Sequence, residues 1–377
     1  MNNPEVNILQ LISTSGHYGA ENVVLELSKG LREKGYNVYI GVLASNKEHA
    51  LDLSKFAKRA GFETLEMLFH GKISINKVMT LRDFLLSRHI NIIHSHNYKS
   101  NFYSLIASTG LPMQRYSTCH NWPGLSFKMQ CYKVLDMIQL RRFDKVIAVS
   151  DAVEAQLRRW GIKRNRTLVI QNGVDTDKFS AKRDGPEIRK QLGIGPTQKV
   201  IGTVSRLTEE KGHTYIIQAA RELQGTNPET VFLIVGDGPL MDKLKNDAVG
   251  LPVIFAGHRS DVDVIYAAMD IFILPSLNEG LPMVLLEAMC SGLPAIASNV
   301  GNVSNVINGT QVGILIQPEN LHELLDALKS LLNDEMTRKT IGNRGKERIV
   351  NLFSRNAMAQ RYHEIYQLGY PLDSGYP

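Results

Sequence analysis

The sequence predicts an α/β protein made of two doubly wound domains of parallel strands facing a cleft. Three observations predict it. Short β-branched runs alternate with amphipathic stretches throughout, the pattern of parallel strands covered by helices. The chain has 377 residues, 43% of them apolar and 21% charged, enough for about two domains at roughly 150 residues each. A segment rich in charge, Gly and Pro, VDTDKFSAKRDGPEIRKQLGIGP, interrupts the alternation at 174–196 and separates two strand series.

The first series opens with the strand NILQLIST, a glycine-containing turn at 15–19, and an apolar-periodic helix from Ala20 to Lys34 that Gly35 closes before NVYIGVL. Strands follow at 91–96 (NIIHSH), 115–120 (RYSTCH) and 145–150 (KVIAVS). Ser150 and Asp151 cap a helix that runs to Gly161. After the interruption come the strands KVIGTVSRL, TVFLIVGDGP, VIFAGH, DIFILPS, PAIASN and GILI. Two helices, Met336 to Phe353 and Arg355 to Leu368, close the chain. The expected organisation is a domain over 1–173, a linker over 174–196 and a domain over 197–377, with the last helix placed to cross back to the first domain.

Composition excludes several classes. Cys119, Cys131 and Cys290, an odd number with no CxxC pair, suit neither a disulfide framework nor a zinc knuckle. The N-terminus lacks a basic region before a long apolar core, and nowhere do 18 apolar residues run without a charge, so a cytoplasmic location is expected. Residues 1–170 carry 23 Lys and Arg against 13 Asp and Glu; the remainder carries 20 against 24. A basic first half favours phosphate-bearing or anionic-lipid surfaces. The stretches Leu51 to Gly61 and Phe127 to Arg142 are basic and amphipathic, suited to an anionic membrane or to ordinary packing on a sheet. No zinc-finger spacing, RNP box or Lys/Arg block points to nucleic acid.

The strongest chemical signal is DIFILPSLNEGLPMVLLEAMCSGLPAIAS at 270–298. A strand ends at Pro275-Ser276, a loop delivers Glu279, and Gly280 permits close backbone approach before a helix opening near Leu281-Pro282. The amide groups over Leu281, Pro282, Met283 and Val284, with the positive end of the helix dipole, form an anion cradle. Glu287 lies two turns inside, so eight residues at about 1.5 Å rise separate the carboxylates by roughly 12 Å. That span suits the hydroxylated ends of one ligand with a diphosphate between them. A capping Glu279 and an exposed Glu287 are the bland alternative, but Glu287 sits in VLLEAMC, where an unpartnered carboxylate is costly. Arg206 and Lys211 flank a strand end and the loop after it, where fixed cations can stabilise a departing diphosphate.

Weaker signals remain. The turn before Gly19 lets backbone amides approach a phosphate or sugar, although G-x-G-x-x-G is not met. His94-x-His96 has metal-pair spacing without an evident third ligand, and His120 ends a neighbouring strand. Asp175 to Asp177 lies in the linker, and Asp261 to Asp263 reads as a helix cap.

The 270–298 stretch resembles the E-x7-E signature of the retaining GT-B glycosyltransferases of family 4. The resemblance extends to SRLTEEKG, VGDGP, FAGHRSD, QNGVD and GHYGAENVV, spanning nearly the whole chain. It implies two Rossmann-like domains and transfer of a hexosyl group from a nucleotide diphosphate sugar to a glycan, lipid-linked or small-molecule acceptor. By this likeness Arg206 and Lys211 grip the diphosphate, Glu279 the sugar hydroxyls and Glu287 the ribose. Backbone around Gly257 and His258 meets the base, and His120 faces the transferred sugar. It implies no cofactor and no metal, the nucleotide sugar serving as co-substrate. Tyr18 stands where the family has the first of two glycines, and Asn305 where it often has Glu. A sugar-nucleotide epimerase and a silent nucleotide-sugar-binding protein are the alternative readings.

Overall fold

The computed structural model describes residues 6–14, 19–44, 47–69, 74–120, 127–181 and 183–369. The chain divides into two compact units, 1–173 with 355–377, and 174–354.

The first unit contains β1 (Asn7–Thr14), α1 (Gly19–Glu33), β2 (Asn37–Ala44), α2 (Lys47–Arg59), β3 (Glu63–Leu68), α3 (Ile75–Ser87), β4 (Ile92–His96), α4 (Tyr98–Ala107), β5 (Gln114–Cys119), α5 (Phe127–Leu140), β6 (Lys145–Ala148), α6 (Asp151–Arg159) and β7 (Thr167–Val169). The strands form one parallel sheet in the order β3-β2-β1-β4-β5-β6-β7. Its one face packs Leu9, Leu11 and Ile93 against Leu81 and Leu85 of α3 and Tyr103 of α4. Each such side chain contributes about 1.5–3 kcal/mol on burial. Ser150 caps α6, its Oγ accepting from the Val153 amide at 3.2 Å.

The second unit contains α7 (Thr176–Ser180), α8 (Gly185–Gln191), β8 (Lys199–Val204), α9 (His213–Leu223), β9 (Thr230–Val235), α10 (Met241–Asp247), β10 (Val253–Gly257), α11 (Val262–Ile265), β11 (Ile271–Leu274), α12 (Met283–Cys290), β12 (Ala295–Ser298), α13 (Val303–Val306), β13 (Ile314–Ile316), α14 (Leu321–Asn333) and α15 (Glu335–Leu352). Its parallel sheet runs β10-β9-β8-β11-β12-β13, so strand order reverses between β8 and β11, the point where open α/β sheets take their ligands. The final helix, α16 (Arg355–Gly369), belongs to the first unit.

Two differences from the sequence reading have clear causes. The stretch 174–196, set aside as a linker, forms α7 and α8 and is part of the second unit. Its polar residues are anchors: Arg189 binds Asp270 at 2.8 Å and the Ala268 carbonyl at 2.9 Å. Strands β3 and β7 went unread because they are the sheet's two edges. Edge β3 carries Glu63, Thr64 and Glu66 and lacks the continuous apolar run of a central parallel strand.

Candidate active site

In the second unit, the loops leaving β8 and β11 meet where strand order reverses. Lys211, in the loop after β8, places Nζ 2.7 Å from Glu279 Oε1, and Ser276 Oγ donates to the same oxygen at 2.8 Å. Glu279 is almost fully enclosed, while about a fifth of the Lys211 side chain is exposed, so a partly solvated cation guards a shielded carboxylate. The Leu277 amide donates to the Glu210 carbonyl at 2.8 Å and ties the two loops together.

Two glycines make this packing possible. Gly212, at φ 69°, would place a Cβ 1.9 Å from the Pro275 carbonyl oxygen; Gly301, at φ 55°, would place one 1.9 Å from that of Glu279. Both φ values are left-handed, so no other residue serves at either position without strain. The Asn302 amide donates to the Gly280 carbonyl at 2.8 Å and braces the Glu279 loop from the other side.

The helix after this loop begins one residue later than expected. Pro282 is the N-cap of α12 and has no amide hydrogen, so Pro282 drops out of the anion cradle. The amides of Met283 and Val284 have no partner within the helix, which leaves donors beside Glu279 and Gly280. Leu281, Pro282 and Met283 are buried.

Glu287 is also buried, as its apolar setting required, yet it has a protein partner that sequence reasoning missed. Tyr266 Oη lies 3.0 Å from Glu287 Oε2. Burial, then the neighbouring Glu287, drives the Tyr266 pKa well above its ordinary value, so the phenol stays protonated and donates. The available signal was a tyrosine in an apolar segment, whose hydroxyl must find an acceptor when buried.

Arg206 is exposed just beyond β8. Its loop is fixed by backbone bonds from Ser205 to Val235 and from Leu207 to Asp237, and by Ser205 Oγ against His213 Nε2 at 3.0 Å. His213, buried at the start of α9, has its pKa lowered to about 4 by burial and bridges the two ends of the Arg206–Lys211 loop. Gly257 ends β10 at φ 67° after a register break, with open space where a Cβ would stand, and His258 beyond it is exposed.

The two Asp-x-Asp triplets are engaged otherwise. Asp175 caps α7, accepting from the Lys178 amide at 3.0 Å. Asp261 occupies the N-cap position of α11 without capping it, because Arg259 takes both carboxylate oxygens at 2.8 and 2.6 Å and a bidentate guanidinium outbids one amide. Asp263 pairs with Arg183 and Lys178. Among the described residues no group of three His, Cys, Asp or Glu is arranged to hold a metal ion.

In the first unit, Gly19 is the exposed first residue of α1; residues 15–18 lie outside the described ones. His94 and His96 share a sheet face with Gln10 and Thr118, and their ring nitrogens are all bonded within the protein. His94 Nδ1 lies 2.6 Å from Tyr366 Oη, and its Nε2 lies 2.8 Å from Thr118 Oγ1. His96 Nε2 lies 2.7 Å from Gln10 Oε1, and its Nδ1 lies 3.2 Å from His120 Nε2. The metal spacing of His94-x-His96 is therefore absorbed by a hydrogen-bond network. Burial, then neighbouring imidazole charge, lowers His94 to about 3 and His96 well below 6.5; burial alone lowers His120 to about 4. All three are neutral at physiological pH.

Residues 184–348 match the family description glycosyl transferases group 1, and residues 18–178 match glycosyltransferase family 4. The chain belongs to the family 4 glycosyltransferases. It is 28% identical over 307 residues to the Escherichia coli UDP-Gal:alpha-D-GlcNAc-diphosphoundecaprenol alpha-1,3-galactosyltransferase, covering 78% of this chain and 79% of that one. It is 26% identical over 239 residues to the Rhizobium meliloti lipopolysaccharide core biosynthesis mannosyltransferase LpsB, covering 60% and 66%. Among solved structures, Anabaena HepE in complex with UDP superposes with a TM-score of 0.84 at 22% identity, over 96% of this chain and all of that one. The glycosyltransferase has the GT-B fold of two Rossmann-like domains.

Proposed function

We propose that this glycosyltransferase moves a hexosyl group from a nucleotide diphosphate sugar to a lipid-linked or glycan acceptor, with retention of configuration and without a metal ion, in polysaccharide or glycolipid synthesis. The observation that carries this reading is the Lys211–Glu279 pair at the strand reversal, beside the unpaired amides that open α12. A diphosphate entering there competes with Glu279 for the Lys211 ammonium and frees the carboxylate for sugar hydroxyls. Arg206 and the amides of Met283 and Val284 add positive charge where negative charge develops, the work a divalent ion does elsewhere. Glu287, braced by Tyr266, is assigned to the ribose, the backbone at Gly257 and His258 to the base, and Gly19 to the donor; His120 is assigned to the transferred sugar.

In the proposed reaction the bond from the anomeric carbon to the β-phosphate oxygen breaks, and its electron pair leaves with the nucleoside diphosphate. The acceptor oxygen bonds to the same face, and its proton passes to the departing phosphate. No carboxylate nucleophile is invoked.

A lipid-linked acceptor is supported by the diphosphoundecaprenol in the name of the Escherichia coli relative, the basic surplus of the first half, and α5, which exposes Val134, Leu135 and Ile138. No helix among the described residues is long and apolar enough to cross a membrane.

The test incubates the purified chain with UDP, GDP and ADP sugars, each with and without a diphosphate-lipid-linked sugar, and reads product configuration by NMR. Transfer with the donor's anomeric configuration, undiminished by EDTA, is expected. Epimer formed from donor alone, or tight donor binding with no transfer to any acceptor, would refute the proposal.

A further inference from the structure

The histidines of the first unit form more than a filled core. Gln10, at the centre of β1, stands opposite His94 in β4, and Ile12 opposite His96. Alternation along β1, β4 and β5 lines one sheet face with Gln10, His94, His96 and Thr118, and α16 covers it with Tyr362 and Tyr366. Gln10, His94, His96, Thr118, Tyr362 and Tyr366 are all buried. A polar cluster in such surroundings survives when its donors and acceptors match, and matching restricts which nitrogen carries each proton.

The restriction can be traced atom by atom. Gln10 Nε2 donates to Tyr366 Oη at 3.5 Å, which turns Gln10 Oε1 toward His96 Nε2 at 2.7 Å. An amide oxygen only accepts, so His96 carries its proton on Nε2. Neutral His96 then has a bare Nδ1, and the 3.2 Å contact to His120 Nε2 requires that His120 be the donor. Beyond Gln10 the same direction fits the distances: a Tyr366 Oη proton on His94 Nδ1, 2.6 Å away, leaves His94 Nε2 to donate to Thr118 Oγ1 at 2.8 Å. No described residue bonds to His120 Nδ1.

We propose that Gln10, His96 and Tyr366 are positioning residues that lock His120 into the Nε2–H tautomer, leaving its Nδ1 as a permanent hydrogen-bond acceptor for a hydroxyl of the transferred sugar or acceptor. The proposal rests on the reading of His120 as a transfer residue. It gives the C-terminal helix a part in the reaction, since Tyr366 of α16 sets the amide that sets His96. In the opposite tautomer Nδ1 would offer a proton, and a hydroxyl could then bond to it only as an acceptor.

Two-bond 1H–15N correlation spectra of the whole chain assign imidazole protons directly. For the wild-type protein a single His120 tautomer with protonated Nε2 is expected; a protonated Nδ1, or a mixture, overturns the lock. Gln10→Met should mix the tautomers and lower kcat about 10-fold or more with donor KM unchanged. Tyr366→Phe, which removes only a hydroxyl, gives a second route to mixing if Gln10→Met does not fold. Mixed tautomers with undiminished turnover would overturn the positioning role. If no variant and no wild-type preparation transfers sugar, the proposed function falls, and the wild-type spectrum still decides the lock.

Discussion

At the residue scale, the two carboxylates of the E-x7-E stretch are held by different means. Glu279 shares one oxygen between an ammonium and a hydroxyl, whereas Glu287 lies in an apolar helix with Tyr266 against it. Removing that phenol leaves a buried carboxylate short of a donor, so Tyr266→Phe should lower stability by about 1–3 kcal/mol in chemical denaturation. Full stability in the variant would contradict the contact. Glu279→Ala should depress turnover by about 100-fold or more while changing the affinity for free nucleotide far less, because Glu279 is assigned to the sugar. Equal losses in calorimetric nucleotide affinity and in turnover would contradict that division. Both carboxylates were visible in the sequence as acids beside an anion cradle. Tyr266 and Ser276, their protein partners, were not, since a hydroxyl brought in from another loop leaves no spacing to read.

At the element scale, α16 is seated against α1 by close approach. A Cβ on Gly30 of α1 would stand 2.6 Å from the Cβ of Ala359, and Arg355 pairs with Glu26 at 3.0 Å and Glu33 at 3.3 Å. Gly30→Leu should push α16 off the sheet and uncover the histidine cluster. Faster hydrogen exchange at the amides of both α16 and β4 is the expected signature; protection unchanged from wild type would show that α16 tolerates the bulk. The central strands and the helices that follow them were legible because parallel strands buried on both faces are continuous apolar runs, as in β9, where all six residues are buried. The edges β3 and β7 lacked such runs, and the anchoring helices α7 and α8 looked like a linker because each buries a single large apolar side chain, Phe179 and Ile188, among charged residues such as the anchoring Arg189.

At the scale of the whole molecule, the two sheets share one strand order across their first six strands. The order cannot be read from any one element; the alternation of strand and helix, which the sequence shows, and right-handed crossovers narrow it to a few doubly wound orders. The buried histidines give the fold a pH dependence. Their folded pKa values lie below the unfolded value of 6.5, at about 3 for His94 and about 4 for His120 and His213. The unfolded chain therefore binds protons the folded one refuses. Stability is fully present above about pH 6.5 and falls as pH drops below it, by up to about 1.4 kcal/mol per pH unit for each imidazole. Urea midpoints at pH 7 and pH 5 should differ accordingly, and equal midpoints would show that these imidazoles titrate normally.

The central claim is that the diphosphate of a nucleotide lies at the opening of α12 with Glu287 holding the ribose. Calorimetric titration of wild-type and Glu287→Ala protein with UDP and GDP, and with their 2′,3′-dideoxy analogues, tests it most directly. The account predicts that the substitution weakens the preferred ribonucleotide by about 10- to 100-fold and leaves the dideoxy analogue unaffected. An equal loss for both, or no loss for either nucleotide, would contradict it.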